Sequence, residues 1–469
     1  MTTMRRARKA GLRHYVAQTL KQSWPVLISA WAGMAFGVLD TAMAGHASAA
    51  DLQAMTLSIS IYITVFVGLM GIVHALIPII GQHFGGKRHH EVGLAWGQGI
   101  WTALGLSLIG ALAMAFPDLW LSMSGDISAE VRNSITWYLR ALILALPATL
   151  VFRTIYALAT AVSRPKVVMS INLGSVLFKA LFNWLFIFGK LGMPALGAVG
   201  AGLSTALTGW LTLIAGLLVL RHDGFFRQFK LHLPRPRWRH QQELLRLGIP
   251  MGGSYLVEVC AFTMMALLVA REGMFTSGGH QIVSNLVALC YMMPMAVGVA
   301  SASLTAQAIG AQDMARARQT GRAGYLVVFC GALLTALIVW TARKPIVALY
   351  TDDAQVAAVA LALIAIVPFF HFFDAMQCIG SYLLRAYKVA VIPLLMQILA
   401  LTGVGLLGGW MTGFGPWSGL LAPLADTLLP GAPIGAASLW MMSVAGIGIS
   451  GILLRLWYVH IVRQYQSKG

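Results

Sequence analysis

Apolar residues in this chain run in long blocks, without the stripes of a soluble amphipathic helix or the alternation of a half-buried strand. Blocks near the ~20-residue length that carries a helix across the bilayer core recur from one end to the other. In the first half they lie at about 24–45, 55–80, 94–116, 135–160, 167–189 and 195–220. The second half repeats the series at about 248–270, 280–308, 322–342, 355–384, 391–412 and 436–460. Twelve spanning helices are predicted. The first block is full length and follows a basic arm, the pattern of a retained span and not of a removable signal.

The polar segments between the blocks alternate in charge. Of the 33 lysines and arginines, twenty-five fall in segments on one side, including Arg5, Arg6, Arg8 and Lys9 at the start and Arg235, Arg237 and Arg239 in the middle. Six fall on the other side, and Arg153 and Lys179 lie inside predicted spans. By the positive-inside rule the even number of spans puts both termini in the cytoplasm, which suits a bacterial inner-membrane protein.

The two halves also resemble each other at a shift of 225 residues: Pro25 answers Pro250, Gln82 answers Gln307 and Gly85 answers Gly310. Six spans separate the copies, so both halves keep one orientation. The expected fold is therefore an all-α polytopic membrane protein. Its twelve transmembrane helices form two six-helix lobes related by a pseudo-two-fold axis along the membrane normal. The expected divisions are a cytoplasmic basic arm at 1–23, an N-terminal lobe at 24–220, a basic cytoplasmic linker at 221–247, a C-terminal lobe at 248–460 and a cytoplasmic tail at 461–469.

Composition agrees and removes other classes. Hydrophobic residues make up 58% of the chain and charged residues only 10%, with a mean hydropathy of +0.77. A soluble domain carries about 25% charged residues, and a disordered chain fewer apolar ones. The net charge of +18 would suit nucleic acid on a soluble domain, but here it follows the loops, so no nucleic-acid partner is expected. Four cysteines in apolar stretches show no metal-binding or disulfide spacing. Gly81 to Lys87 begins like a phosphate-binding loop, yet Arg88 stands where Ser or Thr is required, which removes an ATP-driven pump. No His-Glu-x-x-His arrangement or other catalytic constellation is present, so an enzyme is not expected.

Chemistry is concentrated in the few acids. Of fifteen, only Asp40 in the first span, Glu258 in the seventh and Asp374 in the tenth fall within predicted helices. A carboxylate at mid-membrane costs about 2.5–3.5 kcal/mol on insertion scales, so such groups face polar interiors and carry protons or cations, or else join helices as polar contacts. Lys179 and Arg153 share a lobe with Asp40, and an ion pair with either would hold Asp40 charged. His371, one turn before Asp374, is a proton relay or a satisfied core histidine. Methionines such as Met264, Met265, Met292 and Met293 line an adaptable apolar cavity or serve ordinary packing.

The stretch from Pro25 to Gly45 with Asp40-Thr41-Ala42-Met43-Ala44-Gly45 resembles the first helix of the multidrug and toxic compound extrusion (MATE) transporters, NorM branch. Pro78-Ile79-Ile80-Gly81-Gln82 with Gly85, Gly189-Lys190-Leu191-Gly192 with Pro194-Ala195-Leu196-Gly197, and Phe372-Phe373-Asp374-Ala375-Met376-Gln377 extend the resemblance over nearly the whole chain. Glu258 is the mark of the NorM branch. The resemblance implies efflux of organic, often cationic, amphiphiles against inward Na⁺ or H⁺, with no other cofactor and a monomer in the bilayer. It implies a cation site of Glu258 and Asp374, with Na⁺ as one candidate ion and Phe262 and Tyr291 as aromatic neighbours. It places Asp40, Asn183, Asp352 and Asp353 where relatives contact substrate or protons. Lys179 departs from it, standing where relatives carry Asn, and Phe370 stands where relatives carry Tyr. A flippase for a lipid-linked glycan is the alternative within transport, and a membrane-embedded sensor or enzyme the alternative outside it. The first would need cavity arginines to hold phosphate.

Overall fold

The structure, a computed structural model, describes residues 11–121 and 128–467. Arg5, Arg6, Arg8, Lys9, Asp126 and Lys468 lie outside the described residues. Among those described, twelve helices are long and apolar enough to cross a membrane, and the chain is a multi-pass membrane protein. They are α1 (Leu12–Ala44), α2 (Ala50–Gly85), α3 (His89–Met114), α4 (Ala129–Ala161), α5 (Pro165–Ile187) and α6 (Gly197–His222), then α7 (Trp238–Glu272), α8 (Met274–Gly310), α9 (Met314–Tyr350), α10 (Ala354–Ala386), α11 (Val391–Gly413) and α12 (Ile434–Gln466).

Each expected apolar block is present, but several helices run beyond it. α1 is already helical from Leu12, where a basic arm to residue 23 was expected, because Tyr15, Thr19 and Ser23 recur on one face and are buried. α7 begins at Trp238, inside the expected linker. The rest of that linker is held down, not free. Gln98 of α3 donates to the Arg235 carbonyl at 2.8 Å and accepts from the Arg237 amide at 3.0 Å, while Trp101 donates to the Pro234 carbonyl at 2.8 Å.

Among the described residues the helices fall into two compact units, 25–252 and 253–467, with residues 11–24 belonging to the second. Within the first, α4 packs against α2, α3, α5 and α6. Its seam with α6 depends on small residues: a Cβ at Gly209 would come 3.2 Å from Thr149, and one at Gly216 would come 2.8 Å from Ile155. Close backbone approach replaces the hydrophobic drive that lipid cannot supply. The second unit repeats the plan, with α10 against α8, α9 and α12, and α11 against α12.

The repeat reaches the individual turn. α2 ends at Gly85 and α8 at Gly310, and α3 begins at His89 and α9 at Met314, each pair 225 residues apart. Between them Lys87 (φ 57°) and Gln312 (φ 58°) both adopt the left-handed conformation. The same holds one hairpin later for Ser163 (φ 62°) and Lys388 (φ 59°). These turns terminate helices by the backbone bonds Arg88 N to His83 O, 2.9 Å, and Asp313 N to Ala308 O, 3.0 Å.

An acid completes each unit at the opposite end. Asp51 accepts from the Ala198 amide at 2.8 Å, and Glu272 accepts from the Gly435 and Ala436 amides at 2.7 and 2.8 Å. Each carboxylate therefore sits on a helix N-terminus, α6 in one unit and α12 in the other, where the dipole favours negative charge. Gly197, at φ 53°, leaves the room: a Cβ there would collide with the Asp51 carboxylate.

Candidate functional site: buried acids in each unit

In the C-terminal unit, helical spacing brings Tyr255, Glu258 and Phe262 to one face of α7, and Phe370, Asp374 and Cys378 to one face of α10. Glu258 accepts from Tyr291 of α8 at 3.5 Å on one oxygen and from Gln397 of α11 at 3.3 Å on the other. Asp374, only 8% exposed, lies close enough for its charge to act on Glu258. The Gln397 carbonyl oxygen beside Glu258 is buried and has no hydrogen-bond partner. Four helices thus converge on a group of oxygens in which one neutral acceptor stands unsatisfied, an arrangement that a cation or a proton would complete. Among the described residues no group of three or more His, Cys, Asp or Glu side chains forms a site for a transition metal.

Aromatic rings and a buried cation border this group. Phe262 and Phe370 meet edge to face at 5.9 Å, and Trp440 stands 5.3 Å from Phe370. Trp440 donates to His280 Nδ1 at 3.2 Å. Arg385 lies 4.6 Å over Tyr382 and donates to the Tyr255 hydroxyl at 3.0 Å, and the two tyrosine hydroxyls share a 2.7 Å hydrogen bond. The sequence pattern counts Arg385 with the cytoplasmic loop residues; the structure buries it to 4% exposure and brings its charge to bear on Glu258.

The N-terminal unit holds its acid differently. Lys179 of α5 lies 2.8 Å from Asp40 Oδ1, and Asn183, one turn on, donates to the same oxygen at 2.7 Å. The ammonium also reaches the Thr205 hydroxyl at 2.6 Å and the Ala201 carbonyl at 3.2 Å. Its three donors are all used. Lys179 is fully buried and Asp40 nearly so, so the pair is shielded from solvent and each is the other's ion-pair partner. Arg153, the other basic residue in a span, does not make this pair; it lies 5.7 Å from the rings of Phe66 and Tyr156.

Asp352 and Asp353 are not brought to either group. Both are exposed in the turn before α10, and Asp353 caps that helix by accepting from the Gln355 and Val356 amides at 2.8 and 2.9 Å. Gln397 and Tyr255 were not singled out from sequence. Gln397 interrupts an otherwise apolar span, and Tyr255 stands one turn before Glu258, so each carried a visible signal.

The structure is a membrane-spanning architecture of two repeated helical units, each with buried acids, and comparison with known proteins identifies its family. A family model described as MatE matches twice, at residues 25–185 and 250–411. The chain belongs to the MatE family. It is 36% identical over 442 residues to the "Probable multidrug resistance protein NorM" of Aromatoleum aromaticum, covering 94% of this chain and 93% of that one. It is 31% identical over 445 residues to the multidrug resistance protein NorM of Vibrio vulnificus, covering 94% and 95%. The crystal structure of a eukaryotic MATE transporter, AtDTX14, shares the fold at 17% identity with a TM-score of 0.85, over 98% of this chain and all of that one.

Proposed function

We propose that this protein is a secondary multidrug exporter that expels organic, often cationic, amphiphiles by antiport with Na⁺ or H⁺. The observation that carries the reading is the buried Glu258, hydrogen-bonded by Tyr291 and Gln397 beside Asp374 and an unsatisfied amide oxygen. Names of relatives that span nearly the whole chain support the substrate class. In this reading Glu258 and Asp374 take up the coupling ion, with Tyr291 and Gln397 supplying neutral oxygens and Phe262 the aromatic wall. Ion uptake drives export only through different affinities in the two access states, since equal affinity shifts nothing. In this reading the protein works as a monomer in the bacterial inner membrane; both termini are cytoplasmic, the one part of this placement that the distribution of basic residues supports.

Lys179 weighs against the glycan-flippase alternative. That activity needs cations free to hold phosphate, and Lys179 is neutralised by Asp40.

Ion identity is read by titrating purified protein. Two carboxylates that share one cation make Na⁺ and protons compete, so added Na⁺ should release protons. Asp374→Asn should abolish that release. If Na⁺ releases no protons and leaves drug affinity unchanged, Na⁺ is not the coupling ion and the pair serves protons alone.

A further inference from the structure

A groove of about 480 Å³ lies on the C-terminal unit among α9, α10 and α12, apart from the buried acids. Phe329 of α9, Phe372 and Met376 of α10 and Ile452 of α12 are among its walls, and Arg455 stands at one end. Phe329 is 42% exposed and Ile452 60% exposed, on helices that cross the membrane, so the groove opens toward lipid.

Its floor is made by two glycines one turn apart, Gly448 and Gly451. In the N-terminal unit the glycines of α6 are demanded by packing, since a Cβ at Gly216 would come within 2.8 Å of Ile155. At Gly448 the nearest atom to a Cβ is 3.6 Å away, in Phe373, and at Gly451 it is 3.5 Å away. A methyl group at either position would make ordinary van der Waals contact with α10. Both glycines are buried against α10 and add no side-chain bulk to the wall they share with the groove.

Arg455 supplies the second half of the argument. It is exposed and its guanidinium lies 4.0 Å over the Tyr325 ring. Among the described residues Arg455 makes no ion pair; its contacts are the Tyr325 and Tyr458 rings, at 4.0 and 5.8 Å. An arginine facing hydrocarbon without a counter-ion is costly and seeks one at the lipid headgroups. Arg455 lies eleven residues before the end of α12 and Tyr325 eleven after the start of α9, so both stand at one depth, near the same leaflet. Arg322, exposed and one turn nearer the start of α9 than Tyr325, adds a second positive charge toward that surface.

We propose that this groove is a binding site for an anionic phospholipid of the leaflet at the α9 start and α12 end, with an acyl chain along Gly448 and Gly451 and the phosphate on Arg455. Under the proposed topology this is the cytoplasmic leaflet; the site itself does not depend on the transport reading. Full-length protein in mild detergent would be titrated with phosphatidylglycerol, phosphatidylcholine or inorganic phosphate, following bound lipid by native mass spectrometry. Wild type should bind phosphatidylglycerol over phosphatidylcholine. Arg455→Gln should lose that preference, with about fivefold weaker phosphatidylglycerol binding, the scale of one basic residue at an anionic lipid surface. Gly448→Leu should weaken both lipids, because the chain's place is filled. Both variants should remain monodisperse and keep drug binding, which separates loss of the site from misfolding. Undiminished preference in Arg455→Gln, unchanged lipid binding in Gly448→Leu, or competition by inorganic phosphate alone would overturn the proposal.

Discussion

The two units share the helix order and the left-handed turns at a 225-residue shift, and differ in what they do with a buried acid. In the N-terminal unit Asp40 is met by Lys179, Asn183 and a saturated set of donors. In the C-terminal unit Glu258 is met by a hydroxyl and an amide, with Asp374 nearby and no ion pair; a buried amide oxygen without a partner stands beside the acid in both units, Asn183 Oδ1 in the first and Gln397 Oε1 in the second. The 225-residue shift that superposes the turns does not superpose these side chains: Asp40 corresponds to Met265, Lys179 to Val404, Glu258 to Gly33 and Asp374 to Thr149. Gln397 alone has a chemical counterpart, Asn172. Repetition thus preserved the scaffold that seats a buried polar group, while each unit acquired its own charges. A tethered ammonium lies within ion-pair distance of one acid, while the other is met by neutral donors with Arg385 further off.

The largest expected effect separates the two sites by function. Glu258→Gln keeps the shape but neither titrates nor holds a cation well, so efflux of a cationic dye from pump-deficient cells should fall to the level of cells without the protein. The double variant Asp40→Asn, Lys179→Met should retain efflux, since its unit stays neutral. If the double variant is as inactive as Glu258→Gln at equal expression, the contrast between the units fails.

A second measurement tests the pair itself. Asp40→Asn alone leaves a buried ammonium unpaired and should cost about 3–5 kcal/mol of stability in detergent. Adding Lys179→Met should recover most of it. Additive losses in a double-mutant cycle would show that the two groups do not interact energetically.

The helix clamps should behave alike, because they are shared by both units. Asp51→Asn and Glu272→Gln each remove a charged acceptor from a helix N-terminus, and each should cost about 1.5–3 kcal/mol, read as a lower thermal midpoint. A large loss in one unit and none in the other would mean that the repeat is geometric only.

The smallest effect belongs to Gln397→Leu, which removes one neutral ligand and keeps the carboxylates. About 1 kcal/mol, or roughly fivefold weaker coupling-ion affinity, is expected from one hydrogen-bonding group. Ion-dependent drug binding measures it, and unchanged affinity would remove Gln397 from the site.

Much of the fold was legible because a bilayer penalises polar residues so strongly. Each apolar block became a helix, and the 225-residue register read from Gln82 and Gly85 against Gln307 and Gly310 extends to left-handed turns that the sequence pattern did not mark. Helix ends were less legible. Tyr15, Thr19 and Ser23 extend α1 below the first apolar block, and Trp238 starts α7 within a basic segment, since outside the hydrocarbon layer polarity no longer punctuates a helix.

For the site, sequence alone determined which groups are costly to bury: Asp40, Glu258, Asp374, Arg153 and Lys179 stand in apolar spans, and each must find compensation. It could not assign the compensation, which is a matter of distances between helices far apart in the chain. Lys179 could pair with Asp40 or stand apart, and only the packing of α5 against α6 directs the remaining ammonium donors to Thr205 and Ala201. Arg385 read as a loop charge until the fold placed Tyr255 and Tyr382 around it, and the capping bonds that Asp353 makes before α10 were not legible in its sequence. The cost of burying a charge is a property of the residue and its span, but the partner that offsets it is chosen by tertiary structure, because hydrogen bonds and ion pairs act over about 3 Å and sequence separation says nothing at that scale.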